Sequence, residues 1–372
     1  MKKILAVTGT RADYGIQRPV FEALRASRLF DLRLVVTGMH LSRKFGHTID
    51  EIRRDGFRIE AQVDTLPDKD TPLAMAEYVG ATTVALAKVF AKEKPDLVLL
   101  LGDRGEMLAA AIAAAELGIK IVHLHGGESS GTVDDMFRHA ITQLADIHCT
   151  SADVHSERVL MMKPESGPSI HTVGAPGLDA IRTFSPVPGQ TLLKNAGFDP
   201  DLPVVVLVQH PDTLSPFTPA DQIGPTLQAL RGYAGNLLIV GANGDAGGRL
   251  FNRKLEAFAS RRNLTKFRIT LPHAEFLSWL NAADVLMGNS SSGIIEAASF
   301  GLPVLNIGDR QQGRLRSGNV IDVSYDAQQI TKALGKILAD KQVRSRLRKA
   351  KNLYGDGHAS ERIVKILGKL SS

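Results

Sequence analysis

Short apolar runs alternate along this chain with longer stretches in which apolar residues return every third or fourth position. The runs Ile4–Thr8, Leu32–Thr37, Leu97–Leu101, Lys120–Leu124 and Ile147–Thr150 are each only a few residues long. Near-continuous apolarity over so short a span marks a strand covered on both faces, as in a parallel sheet. Between them lie the helical patterns Ile16–Ala26, Thr71–Lys92 and Glu106–Glu116. That alternation predicts a doubly wound sheet with helices on both faces. The pattern pauses in Pro164–Gly189, where Gly174-Ala175-Pro176-Gly177 and Ser185-Pro186-Val187-Pro188-Gly189 break helix and strand alike. It restarts with Val204–Gln209, Leu237–Val240, Phe267–Ile269, Val285–Met287, Val304–Ile307 and Ile321–Val323.

A chain of 372 residues exceeds what one hydrophobic core usually serves. The expected fold is therefore α/β, with two doubly wound Rossmann-like domains facing a cleft. Residues 1–175 form the first, carrying catalytic acids, and 176–355 the second. The amphipathic helix Ala359–Leu370, within 356–372, is a candidate to pack back on the first domain. In open α/β sheets ligands bind outside the carboxyl ends of the strands, so the loops that follow strands should hold the chemistry.

Composition narrows the function classes. Hydrophobic residues make up 44% and charged residues 23%, and no unbroken apolar run reaches membrane-helix length, so no membrane partner is expected. The opening MKKILAVTGT reads as a first strand rather than a signal peptide, because its apolar run is too short. Cys149 stands alone, which excludes an internal disulfide or a Cys-based zinc site and suits a reducing compartment; the expected location is cytoplasmic. The net charge of +6 is dispersed, and its densest region, Lys341–Lys369, has the spacing of solvated helix faces. No nucleic-acid partner is expected, whereas a mildly basic surface suits a small anionic substrate.

The turn Thr8-Gly9-Thr10-Arg11-Ala12-Asp13-Tyr14-Gly15 places an arginine fork and glycine freedom after the first strand, without the G-x-G-x-x-G spacing of a dinucleotide site. A strand-to-helix turn with a surface arginine is the plainer account of it. In Gly102-Asp103-Arg104-Gly105-Glu106 a capping box between Asp103 and Glu106 accounts for the acids but not for Arg104, which suits an anion shared with Arg11. The densest segment runs from His123-Leu124-His125-Gly126-Gly127-Glu128 through Ser129–Asp135 to Arg138-His139. Alternation places His123 and His125 on one strand face, so a metal pair must be weighed; no Cys and no H-x-x-x-H accompanies it, and no metal is expected. Asp134 or Asp135 could cap the following helix, yet a carboxylate beside His and Arg is also how an acid/base pair is tuned.

In the second half, Gln209-His210-Pro211, Gly241-Ala242-Asn243-Gly244-Asp245 and Gly288-Asn289-Ser290-Ser291-Ser292-Gly293-Ile294-Ile295-Glu296 follow strands. The last reads as a diphosphate cradle at a helix start, with Glu296 one turn inside to accept ribose hydroxyls. As a plain first-turn acid Glu296 would contribute under about 1 kcal/mol. Gly308–Arg314 brings Arg310 and Arg314 to the end of another strand.

As a set these residues resemble the hydrolysing UDP-N-acetylglucosamine 2-epimerases of sialic and legionaminic acid biosynthesis. The resemblance covers nearly the whole chain, through GTRADYG at 9–15, GDR at 102–104, GGE with SGTVDD and RHAIT at 126–142, then HP, NGD, GNSSSG with IIEA, and RQQGR. It implies a glycosyltransferase-B-like fold, usually a homodimer, with no cofactor and no essential metal. It implies elimination of UDP to a 2-acetamidoglycal, then hydration with inversion at C2 to release an N-acetylmannosamine-type sugar. By position, Arg11, Arg104, His210, Asn243, Ser290, Ser291, Glu296 and Arg310 would hold UDP, with Asp103 and Asp134 in the catalytic set. Many relatives read H-I-E-G-G-E where this chain has His125, and that Glu is an acid/base in the family; the nearest candidates here are His125 and Glu128. Some branches acting on 4-acetamido-6-deoxy substrates carry His there, so both C4 substitution and proton carrier stay open.

The chemistry itself needs a base for the C2 proton, charge neutralisation for the departing UDP, and an acid and a base for hydration. Asp103, His125, Glu128, Asp134 and His139 are the candidates. A glycosyltransferase of the same architecture, a non-hydrolysing epimerase and a nucleotide-sugar sensor are the competing readings; the cluster of acids and histidines at 123–139 weighs against the sensor.

Overall fold

The computed structural model describes residues 1–69, 71–129, 133–244 and 246–370. Two compact units result, one from Met1–Glu128, Val133–Thr183 and Tyr354–Ser372, the other chiefly from Phe184–Leu353. The first holds a seven-stranded sheet, with β1 Lys2–Thr8, β2 Phe30–Thr37, β3 Ile59–Val63, β4 Leu97–Leu101, β5 Lys120–Leu124, β6 Ile147–Thr150 and β7 Ile170–Thr172. Their order is β3-β2-β1-β4-β5-β6-β7, all parallel, with Ile4 opposite Leu32 on one side and Leu97 on the other.

Side-chain alternation along β1 splits its apolar run between two cores. Ile4 and Ala6 join Val20, Phe21 and Leu24 of the helix Arg11–Ala26 and Ile363 and Leu367 of the helix Ala359–Lys369. Leu5 and Val7 join Leu86 and Phe90 of the helix Pro72–Glu93 and Met107 of the helix Gly105–Glu116. Each fully buried Leu, Ile or Phe here contributes about 1.5–3 kcal/mol. The C-terminal helix is thus part of the first unit, where Asp179 accepts from the Ala359 and Ser360 N–H groups at 2.9 and 2.6 Å and caps it.

The helix Pro72–Glu93 is long and apolar enough, by length and composition alone, to cross a bilayer. Its buried residues Ala74, Tyr78, Thr82, Leu86 and Phe90 recur every fourth position, the spacing of one face packed on protein.

The second unit repeats the plan with β8 Val204–Val208, β9 Asn236–Val240, β10 Thr265–Arg268, β11 Val285–Gly288, β12 Val304–Ile307 and β13 Val320–Val323, in the parallel order β10-β9-β8-β11-β12-β13. Val205, Leu207, Ile239, Met287 and Leu305 build its core. In each sheet the strand order reverses once, between β1 and β4 and between β8 and β11. At such a reversal the following loops diverge to opposite faces and leave a crevice, so ligand-binding groups belong there.

Candidate functional site

The loop after β1 is held by a buried carboxylate. Thr10 caps the helix Arg11–Ala26, its hydroxyl accepting from the Asp13 N–H at 3.3 Å, while Asp13 accepts from the N–H groups of Thr10 and Gly9 at 2.8 and 2.9 Å. Burial pushes the Asp13 carboxyl above its ordinary range, against the pull of the Gly9 N–H and of Arg104. Arg11 stands in the first helical turn with Nε on Glu51 at 2.7 Å. A Cβ on Gly9 would lie 2.1 Å from Glu106 Oε1, so glycine there is fixed by close packing.

Glu106 in turn accepts from Arg104 Nε at 2.7 Å. The helix Gly105–Glu116 takes Arg104 as its N-cap without a side-chain cap bond, so the capping box expected between Asp103 and Glu106 does not form. The helix starts too late for it, and Asp103 instead accepts from Arg138 Nη2.

β5 ends at Leu124, and His125 turns to φ 63°, a left-handed conformation that costs a non-glycine residue on the order of 1–2 kcal/mol. The alternation therefore stops before His125, and it does not share a strand face with His123 as the sequence suggested. His123 donates from Nε2 to the Gly102 carbonyl at 2.8 Å, with the Thr142 hydroxyl 3.3 Å from Nδ1, and burial pushes its pKa down to about 3. It is a neutral structural group. His125 behaves differently: Nδ1 lies 2.6 Å from Glu128 Oε1, and the Ser151 hydroxyl donates to that same oxygen at 2.5 Å. Behind them His155 Nδ1 meets Ser151 Oγ at 2.9 Å. His125 is 4% exposed, and among the described residues its Nε2 has no hydrogen-bond partner.

Arg138, from the helix Val133–Leu144, binds these loops together. It donates from Nη1 to the His125 carbonyl at 2.8 Å, lies 3.9 Å from Glu128 Oε2, and pairs with Asp103. Asp134 and Asp135 lie inside the first turn of that helix, past the cap position, where they complement its dipole. His139 is half-buried with Nε2 unpartnered among the described residues; burial lowers its pKa, against the pull of Asp135.

In the second unit the loops converge on Asn289. Its side-chain oxygen accepts from the His210 N–H at 2.7 Å and its amide donates to the His210 carbonyl at 2.9 Å. Arg310 Nη1 and Gln311 Nε2 donate to the Asn289 carbonyl at 3.3 and 2.9 Å. The Asn243 N–H donates to His210 Nδ1 at 3.1 Å. A backbone N–H can only donate, so the neutral His210 ring carries its proton on Nε2 and presents a donor. Ser290 caps the helix Ser291–Ile295 by accepting from the Ser292 N–H at 3.4 Å. That helix is a single turn, and Glu296 is its C-cap rather than a residue one turn inside. Glu296 lies 3.5 Å from His273 Nε2, and its Oε1 is buried without a hydrogen-bond partner among the described residues.

Residues 22–368 match the family model for UDP-N-acetylglucosamine 2-epimerase. A hydrolysing UDP-N,N'-diacetylbacillosamine 2-epimerase of Legionella pneumophila is 41% identical over 99% of this chain and 96% of its own length. The chain belongs to this epimerase family. The polysialic acid biosynthesis protein P7 of Escherichia coli is 33% identical over 99% of this chain and 94% of its length. The UDP-GlcNAc 2-epimerase of Neisseria meningitidis, solved bound to UDP-GlcNAc, shares the fold with a TM-score of 0.82 at 19% identity, covering 99% of this chain and 100% of that one.

Of the candidates read from this epimerase's sequence, Asp103, His125 and Glu128 come together around Arg138. His210, Asn243 and Arg310 come together around Asn289. Ser290 and Ser291 adjoin Asn289 in the chain, while Arg11 and Arg104 sit at the β1 and β4 ends, each held by a glutamate. Ser130–Thr132 and Asp245 of the quoted motifs lie outside the described residues. Of the groups that organise both clusters, Arg138 and Asn289 stood in the quoted motifs without being assigned to the site, and Ser151 was not noticed. The sequence signals were Arg138 one turn after Asp134, and Ser151 and Asn289 directly beyond strand ends.

Proposed function

We propose that this chain is a hydrolysing 2-epimerase that converts a UDP-N-acetylhexosamine to UDP and a free sugar inverted at C2. The observation that carries the reading is the buried His125 Nε2, without a hydrogen-bond partner among the described residues, beside the Asp103–Arg138–Glu128 cluster, a proton acceptor where the family needs one. UDP is assigned to Arg11, Arg104, His210, Asn243, Ser290, Ser291, Glu296 and Arg310. The His210 Nε2–H and the arginines suit the diphosphate, and Glu296, whose Oε1 lies 3.5 Å from His273 Nε2, suits ribose hydroxyls. Asp103, His125, Glu128, Asp134 and His139 are assigned to the catalytic set. Elimination followed by hydration moves protons and no hydride, so the reaction asks for no redox cofactor.

For the sugar we favour the 2,4-diacetamido-6-deoxy form over UDP-N-acetylglucosamine. Support comes from the 41% identity to an enzyme named for diacetylbacillosamine and from His125 in place of the more common Glu. The pathway would then be that of legionaminic acid rather than sialic acid. We further assign the protein to the cytoplasm, as its single, buried cysteine suits, and to a homodimer. Proton NMR in D2O with both UDP-sugars tests the reading. The expected products are UDP and a free sugar with inverted C2 bearing one deuterium; an intact inverted UDP-sugar, or no release without an acceptor, refutes hydrolysis.

A further inference from the structure

Four buried side chains stand in line in the first unit, and their proton positions follow from what each atom can do. Glu128 Oε1 is a carboxylate oxygen and only accepts. Ser151 has one hydroxyl proton and spends it on that oxygen at 2.5 Å, so the Ser151 lone pair is what His155 Nδ1 meets at 2.9 Å. His125 Nδ1, at 2.6 Å from the same oxygen, must therefore carry a proton. In the neutral ring that leaves Nε2 as a bare lone pair, the atom without a hydrogen-bond partner among the described residues.

We propose that Glu128 is a positioning residue that holds the proton of His125 on Nδ1, so that His125 Nε2 is the base for the C2–H bond, with Ser151 and His155 fixing the carboxylate. This rests on the epimerase reading and adds to it a division of labour: Glu128 acts through His125 and does not itself touch the sugar. In the step, the C2–H bond breaks and its electron pair forms the C1–C2 double bond. The C1–O bond leaves with its pair on UDP, and the proton resides on Nε2. One water then supplies both the hydrogen at C2 and the hydroxyl at C1, and the proton on Nε2 departs with UDP or to solvent. Glu128 stabilises the imidazolium formed in between, as a carboxylate does behind any imidazole base. His125 is held for this by its left-handed backbone and by Arg138 on its carbonyl. A Cβ on Gly127 would lie 2.2 Å from the His155 carbonyl, so the turn between His125 and Glu128 has no room for another residue type.

Glu128→Gln tests the arrangement because the amide has two unlike ends. Arg138, 3.9 Å from Oε2, draws the amide oxygen to its side and leaves the NH2 facing His125 and Ser151. An NH2 there can only donate, which moves the His125 proton to Nε2 and removes the base. The full chain, labelled with 15N-histidine and saturated with UDP, should show His125 protonated on Nδ1 in the wild type and on Nε2 in Glu128→Gln, with His125→Gln assigning the signals. Turnover of Glu128→Gln should fall roughly 100-fold or more, the scale of lost general base catalysis, with KM and UDP affinity within a few-fold. In a His125→Gln background, Glu128→Gln should cost nothing further. A wild-type proton on Nε2, undiminished kcat in Glu128→Gln, or additive losses in the double variant each overturn the positioning role. The tautomer measurement needs no turnover, only the His125→Gln spectrum for assignment. Wild-type protein inert toward both UDP-sugars overturns the epimerase reading instead, whatever the tautomer.

Discussion

One guanidinium at position 138 serves a carbonyl and two carboxylates, and its burial sets what a change at any of them costs. Arg138 is 2% exposed, so its charge is compensated by Asp103 and Glu128 rather than by water. Asp103→Asn keeps the shape and the acceptor but removes one of the two negative charges. We expect kcat to fall at least a hundredfold, as for lost acid/base or electrostatic help at the sugar, while UDP affinity by calorimetry stays within a few-fold. Stability should drop by about 1–3 kcal/mol, since Arg138 is left with a weaker partner. A variant that keeps wild-type kcat in steady-state assays removes Asp103 from the catalytic set. His123 shows the converse case, a histidine in the densest motif whose ring is spent on Gly102 and Thr142. Only three-dimensional contacts separate it from His125, because both read as polar interruptions of one apolar run.

Among the elements, legibility followed burial. β4, β5 and β6 coincide with the sequence reading residue for residue, because all but Lys120 of their residues are buried and their apolar positions fall in short, bounded runs. β3 and β7 were not foreseen: they lie at the sheet edges, where β3 buries only Val63 and β7 buries none of its three residues. The first helix starts at Arg11 rather than Ile16, since Thr10 and Asp13 form a capping box inside what reads as a turn. The site was legible as loops after strands, which parallel topology places at one edge of each sheet. Its supports were not, because Ser151 and Asn289 act on residues remote in sequence, at 128 and 210. The helix Pro72–Glu93 carries the dimer proposal: beside its packed face it leaves Leu73 70% and Val84 58% exposed. We propose that a second copy of the chain covers this exposed apolar strip. Val84→Glu should convert a dimer to a monomer in analytical ultracentrifugation with little loss of monomer fold. A wild-type monomer, or an unaltered dimer in the variant, rejects this face.

Across the whole molecule, buried neutral histidines tie stability to pH, and they are unevenly distributed. His40 and His123 are held at about 3 and His148 at about 4, each chiefly by burial, and all three belong to the first unit. Their unfolded value is about 6.5, so on acidification the unfolded chain binds protons that the native one refuses. The stabilisation is complete above about pH 6.5 and is lost as pH falls from there toward 4 and 3. Each histidine contributes at most about 1.4 kcal/mol per pH unit in that window, roughly 4 kcal/mol per unit for the three together. Asp13, raised by burial, works in the opposite sense and offsets part of this near the carboxylate range. Against a domain stability of about 5–15 kcal/mol, the first unit should be the one to open near pH 5. The single tryptophan makes this visible, because Trp279 is buried against Phe198 in the second unit. At pH 7.5 urea transitions followed by circular dichroism and by tryptophan fluorescence should lie closer together than at pH 5. At pH 5 the dichroism should decay first, at lower urea, with the fluorescence transition following. Transitions that move together by equal amounts between the two pH values would show that these histidines do not set the acid limit of the first unit.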